Sequence, residues 1–367
     1  MFPTQYHEIL KRIDEIDPID YGKTRNYIGG AVSRLSPYIS RGVISTKQVA
    51  KHVLKKGYQF EEIESFLREL AWRDYFQQVW LAKGDALHTD LKQTQANAIH
   101  NKIPSSILLG QTGITAIDKG IAQLYETGYM HNHMRMYVAS IACNIAKSHW
   151  LVPAKWMYYY LLDADWASNA LSWQWVAGSF SSKKYYANQE NINKYCDTGD
   201  QNTFLDTSYE NLVELHIPKE LSQTANPELK TTLPKSPKLS INKELPTYIY
   251  TFYNLDPEWD KEIAANRIVL LEPSFFEKYP VSEKTIEFVL NLSRNIPEIQ
   301  VAIGEFEAVF CDIAENKLHF KEHPCFTHFK GQQHPRDWMF EKVQGYFPSF
   351  FQYWKKAERH LVDLTND

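Results

Sequence analysis

Three stretches of this sequence gather polar and aromatic side chains at spacings that would let them act together. Phe66-Leu67-Arg68-Glu69-Leu70-Ala71-Trp72-Arg73-Asp74-Tyr75-Phe76 puts Glu69, Trp72, Arg73 and Phe76 on one helix face. That face serves either as a surface ion pair between Glu69 and Arg73 or as a cavity wall joining a carboxylate, an indole plane and a cation. Thr127-Gly128-Tyr129-Met130-His131-Asn132-His133-Met134-Arg135-Met136 sets Asn132, Arg135 and Met136 on one face of an otherwise apolar helix. Polar groups buried there need partners, because burying them unpaired is costly. Partner candidates follow in Asp163-Ala164-Asp165-Trp166-Ala167-Ser168-Asn169-Ala170-Leu171-Ser172-Trp173-Gln174-Trp175. Upstream, Gly29-Gly30-Ala31-Val32-Ser33-Arg34-Leu35-Ser36-Pro37-Tyr38 offers turn N–H groups, two hydroxyls and an Arg, which suits a phosphate. By itself the same stretch also reads as a turn before a capped helix.

Metal chemistry is not expected. His131 and His133 alternate, so a helix points them to different faces. His323, Cys325, His328 and His334 have one Cys among irregular spacings, unlike a structural zinc site.

The elements that must hold these groups are mostly helical up to residue 200. The apolar spacing predicts helices over Glu61–Trp80, Ile114–Tyr125, Met130–Trp150 (stopped near Pro153) and Ala167–Val176, with an ordered surface loop over Ser179–Phe204. Five prolines between Ile217 and Pro246 mark a linker. Beyond it Tyr248–Tyr253, Arg267–Glu272 and Ile299–Phe310 read as strands, and Ser282–Asn295 as a helix capped by Ser282, which is β-α-β material. The expected division is a helical domain over 1–216, a Pro-rich linker over 217–246 and a small α/β domain over 247–367.

Composition limits the partners. The chain has 367 residues, with 44% hydrophobic and 23% charged, an ordinary globular balance. No run of about 18 apolar residues marks a membrane span. The opening MFPTQYHEILKRIDEID is too charged for a signal peptide, and four scattered cysteines fit a reducing compartment, so a cytoplasmic protein is expected, and a monomer is the expected state. The net charge of −4 argues against a generic nucleic-acid coat. Residues 1–200 nevertheless carry 22 Lys+Arg against 19 Asp+Glu, leaving room for a local basic patch. Seven of the ten Trp fall between Trp72 and Trp175, which suits a large core or a flat ring ligand.

In order and separation, these motifs resemble the helical flavin-binding domain of the DNA photolyase and cryptochrome family, over about residues 20–200. The resemblance implies a mostly α fold, a photolyase-like helical FAD-binding domain followed by the small α/β domain. It implies FAD as cofactor, with Ser33, Arg34, Leu35, Ser36 and Tyr21 near its phosphates. Arg73 and Arg135 match cations near the folded FAD, and Asp163 and Asp165 match carboxylates that contact it or pair with those cations. Asn169 matches the residue facing the reactive ring nitrogen, where Asn is the photolyase-like choice. Trp173 matches the indole nearest the flavin, and Trp150 the second member of an electron chain. The third position falls near Asn97, which cannot relay an electron, so the chain is short or rerouted through Trp156. Glu69, Trp72, Asn132, Met136 and Trp175 match residues that contact a flipped-out cyclobutane pyrimidine dimer, with Asn132 counted also at the cofactor. The implied partner is damaged DNA and the implied activity is light-driven dimer repair. The alternative is a cryptochrome-like photoreceptor or a non-repairing flavin protein.

Departures from the family pattern are Val32 for Thr, and Phe66 and Tyr129 for tryptophans. The α/β domain that normally precedes this region is not seen, so an antenna chromophore is not expected. One reading of the α/β segment after residue 246 is a relocated remnant of that domain.

Overall fold

Strands Thr247–Tyr250 and Asn266–Leu271 are buried along their whole length, as a parallel sheet covered on both faces requires. They are the centre of a five-stranded, all-parallel sheet in the computed structural model, which describes residues 2–235 and 237–366. Across the sheet the order is Gln300–Ile303, Asn266–Leu271, Thr247–Tyr250, Leu318–Lys321, Gln332–His334. Strand order therefore runs outward in one direction from Thr247–Tyr250, then reverses to add the last two strands on its other side. Helix Glu283–Ser293 starts at Ser282, whose hydroxyl accepts the Thr285 N–H, and buries Ile286, Val289 and Leu292. Strand character over 299–310 stops at Ile303. The Phe306 N–H donates to the Glu272 carboxylate at 2.8 Å, and residues Phe306–Phe310 turn into a helix instead.

The chain divides into two compact units, and the division differs from the expected one. One unit joins Met1–Ile19 and Ser33–Ala82 to Lys230–Asp367; the other joins Asp20–Val32 to Lys83–Leu229. The expected linker is therefore split. Thr224–Ala225 pairs antiparallel with Ile103–Pro104 in the second unit. Thr231 exchanges two hydrogen bonds with the Val281 backbone in the first. Ser236, also in that segment, lies outside the described residues.

In the first unit, helix Phe60–Lys83 buries Ile63, Phe66, Leu67, Leu70, Ala71, Tyr75 and Val79 at three- and four-residue spacing. Each of the larger side chains contributes roughly 1.5–3 kcal/mol on burial. Its polar stripe is paired along residues 336–345: Arg336 donates to Gln77, and the Gly345 N–H donates to Gln78. Asp74 accepts from the Thr46 hydroxyl at 2.7 Å and the Met339 N–H at 2.8 Å. Burial pushes the Asp74 carboxyl up to about 6, against these bonds, which pull it down. The folded unit thus keeps a proton that the unfolded chain has already lost. Its contribution to stability is fully present below the unfolded value and is lost as pH rises through about 6. Shifting from pH 4 to pH 7 should cost on the order of 3 kcal/mol through this group. Urea unfolding of the wild type and Asp74→Asn at several pH values isolates it. Parallel stability curves for the two proteins would refute the assignment.

In the second unit, the predicted helix over Met130–Trp150 is broken. Helix Asn132–Ser140 runs into a widened turn at Ile141–Ile145. The chain then leaves the axis at Lys147, with φ of 59°. The cause is pairing with another segment: Ile99 donates to the Lys147 carbonyl, and His149 donates to the His100 carbonyl. Pro153 does not stop a helix but sits in the first turn of Leu151–Tyr160, where a missing N–H costs nothing. The expected loop over 179–204 contains helix Gln189–Cys196, started by Asn188, which accepts the Asn191 N–H at 3.0 Å. Helices Thr115–Thr127 and Trp166–Ala177 match their predicted spans closely. Among the described residues, no helix is long and apolar enough to cross a membrane.

Candidate functional site

Gly128 ends helix Thr115–Thr127 with φ of 71°, and a Cβ there would lie 2.6 Å from Leu162 Cγ. Its carbonyl accepts the Leu162 N–H at 2.8 Å, which sets the loop carrying Asp163. Asp163, 6% exposed, takes a two-pronged bond from Arg135: Nη1 to Oδ2 and Nη2 to Oδ1, both 3.1 Å. Arg135 Nε donates to the Met130 carbonyl at 2.8 Å, so the guanidinium plane is fixed on both sides while the side chain stays 20% exposed. Here the structure joins two residues that the sequence places 28 apart.

Asp165 is buried and opens helix Trp166–Ala177, accepting the Ser168 N–H at 2.8 Å. Asn169, also buried, donates Nδ2 to the Ala154 carbonyl at 2.9 Å, which directs the amide oxygen away from that contact. Trp173 and Trp150 are buried. Met136 is half-buried, Asn132 is exposed at the start of its helix, and Trp175 is 40% exposed, tilted against Tyr185. Tyr21 is half-buried in helix Pro18–Thr24. Trp156 donates its indole N–H to Tyr125 at 3.0 Å. Two groups lie near Trp150 without a local sequence signal that places them there. Asp90 accepts the Trp150 indole N–H at 2.7 Å, and Trp166 lies 6.5 Å from it, centroid to centroid. Nothing in local spacing signals Asp90, which is 60 residues away.

His133 Nδ1 lies 2.7 Å from the Asn26 carbonyl, its ring stacks on Tyr137, and burial lowers its pKa. His131 Nδ1 accepts the His133 N–H. Both imidazoles are thus engaged within the unit.

The other site residues belong to the first unit. Ser33 is half-buried and Arg34 exposed, with φ of 52°. Leu35 is buried, and Ser36 starts the short helix Ser36–Ser40. The helix carries no side-chain cap, so the capped-helix reading of this stretch does not hold. Arg73 donates to the Ser40 hydroxyl at 2.8 Å. Glu69 is half-buried. Trp72 stacks on Phe350 at 3.9 Å and 10°, with the Tyr75 and Phe76 rings at its sides. Phe350 is 1% exposed while Trp72 is only half-buried, so Phe350 lies beneath an indole that solvent still reaches.

Comparison with known proteins gives a consistent likeness. Residues 66–234 match the family described as the FAD binding domain of DNA photolyase. A deoxyribodipyrimidine photo-lyase of Alkalihalophilus pseudofirmus is 34% identical over 148 residues, 40% of this chain and 31% of that protein. Cryptochrome-1 of Sinapis alba is 31% identical over 186 residues, 47% of this chain and 37% of that protein. This chain thus aligns over about a third of the length of these relatives. A crystal structure of a bacterial class III photolyase from Agrobacterium tumefaciens superposes with a TM-score of 0.45 at 26% identity, over 52% of this chain and 42% of that one.

Proposed function

We propose that this chain, whose residues 66–234 belong to the photolyase and cryptochrome family, binds FAD and uses light to split cyclobutane pyrimidine dimers in DNA. The donor set of the second unit fits the cofactor. It supplies a guanidinium held flat by Asp163, a buried amide at Asn169 and the indole plane of Trp173. When bound and fully reduced, FAD supplies a light-excited electron. Arg135 and Arg73 favour negative charge near them, and burial of Asp163, Asp165 and Asn169 keeps water from the polar groups there.

One observation carries the repair reading over flavin binding alone. Trp72 is backed by Phe350 and reached by solvent, which makes it a rigid platform on which an extruded pyrimidine ring can stack. Glu69, on the same helix, then donates or accepts at a base edge; in the second unit, taken by itself, Asn132, Met136 and Trp175 are the residues assigned to lesion contact by the family resemblance. The second reading, photoreception without repair, is supported by the likeness to a cryptochrome at nearly the same identity as to a photo-lyase.

The decisive experiment chemically reduces FAD-loaded protein, adds a dimer-containing oligonucleotide and illuminates with near-ultraviolet light. Restored thymines are expected, and their absence gives the photoreceptor reading precedence. Trp175→Ala should weaken binding of the damaged oligonucleotide by about 1–3 kcal/mol through lost stacking. Glu69→Ala should lower repair per photon while FAD stays bound. Unchanged affinity and yield in these variants would remove both residues from the lesion site.

A further inference from the structure

The Trp150 indole is fully buried, and its N–H donates to Asp90 Oδ1 at 2.7 Å, at the short end for a bond to a charged acceptor. The carboxylate is held at both oxygens. Oδ2 accepts the Gln95 N–H at 2.8 Å, and Oδ1 lies 3.3 Å from His149 Nε2. Gln95 in turn accepts the Trp150 backbone N–H and donates to the Ser148 carbonyl. Asp90 is 15% exposed, so it connects a sealed indole to solvent. A buried indole N–H needs an acceptor, and here that acceptor is a carboxylate that also reaches solvent.

We propose that Asp90 is the proton acceptor for Trp150 when that indole is oxidised during photoreduction, an inference that rests on the FAD reading above. The oxidant is the light-excited, oxidised flavin of the FAD reading. One electron leaves Trp150 and one is gained by the flavin. Loss of the electron makes the indole N–H strongly acidic. The N–H bond breaks, its proton joins Asp90 Oδ1, and a neutral indolyl radical faces a neutral carboxylic acid. The negative charge of the carboxylate assists the electron loss, and the proton transfer then opposes its reversal. The donor–acceptor distance is already within the range of a working general base. The arrangement compensates for the missing third tryptophan near Asn97, because a trapped hole needs no distant relay.

Time-resolved absorption on FAD-loaded protein tests this, since protonated and neutral tryptophanyl radicals have different spectra. The wild type should convert from the first to the second, more slowly in D2O, and Trp150→Phe should abolish the signal. Asp90→Asn keeps an oxygen acceptor but not a base, and should lengthen the protonated form by about a hundredfold, the low end of what a positioned base contributes. The hydrogen bond is checked separately in apoprotein, where the 15N-indole resonance lost in Trp150→Phe should move in Asp90→Asn. A wild-type radical that stays protonated, a conversion without isotope effect, or an unmoved indole resonance overturns the proposal without needing the Asp90 variant to load FAD. So does an Asp90→Asn protein that is folded, loaded and converts at the wild-type rate. A wild type that takes up no FAD overturns the cofactor reading and this proposal together.

Discussion

Asp163→Ala should give a protein that purifies colourless and takes up added FAD poorly. The substitution removes both carboxylate acceptors of the Arg135 guanidinium, leaving the Met130 carbonyl bond and the Tyr129 ring 5.9 Å away to hold a mostly buried cation. Breaking a buried pair from one side costs about 3–5 kcal/mol, and the lower end applies here because Arg135 remains a fifth exposed. The loss should appear twice, as a lower urea midpoint and as a higher FAD dissociation constant. Asp163→Asn keeps one acceptor oxygen and should fall between. An alanine variant that is fully yellow and as stable as the wild type would separate this pair from cofactor binding.

Gly128→Ala should destabilise the second unit through both its backbone and its packing. The backbone at 128 is left-handed, which costs a non-glycine residue roughly 1 kcal/mol. The new Cβ would also stand 2.6 Å from Leu162 Cγ, and overpacking of that kind costs roughly 1–3 kcal/mol more. Because Leu162 precedes Asp163, relief of the clash displaces the carboxylate from Arg135, so FAD affinity should fall with stability. Gly113→Ala is the matched control. Its φ is 80°, but nothing lies within 4 Å of the added methyl, so only the backbone cost should be seen. Equal losses in the two variants would show that the Leu162 contact is unimportant.

What could be read from the sequence was local. The three-and-four spacing from Ile63 to Val79 announces its helix, and Ser282 announces its own, because both signals act within a few residues. The pairing of Arg135 with a downstream carboxylate is foreshadowed by the cost of burying a cation alone. The break after Ser140 is not foreshadowed, because apolar periodicity continues through it. Only the strand-like pairing of 99–100 with 147–149 decides it. Nor does any spacing connect Phe350 with Trp72 or Asp90 with Trp150. The unit boundaries are hidden for the same reason: residues 33–82 look like part of the helical domain until their partners beyond 230 are known.

The chain passes between the two units at residues 19–20, 32–33, 82–83 and 229–230, and this has a consequence during synthesis. Helix Phe60–Lys83 leaves the ribosome early, but Met339, which satisfies Asp74, follows 265 residues later. At about 5–20 residues per second, the helix waits roughly 15–50 s with Asp74 lacking the second of its two donors. Over that interval the Lys83–Leu229 stretch can fold around its own contacts, while the earlier helices depend on a late arrival. Nascent chains stalled before residue 336 should therefore hold a protease-resistant second unit beside a first unit that a chaperone still occupies.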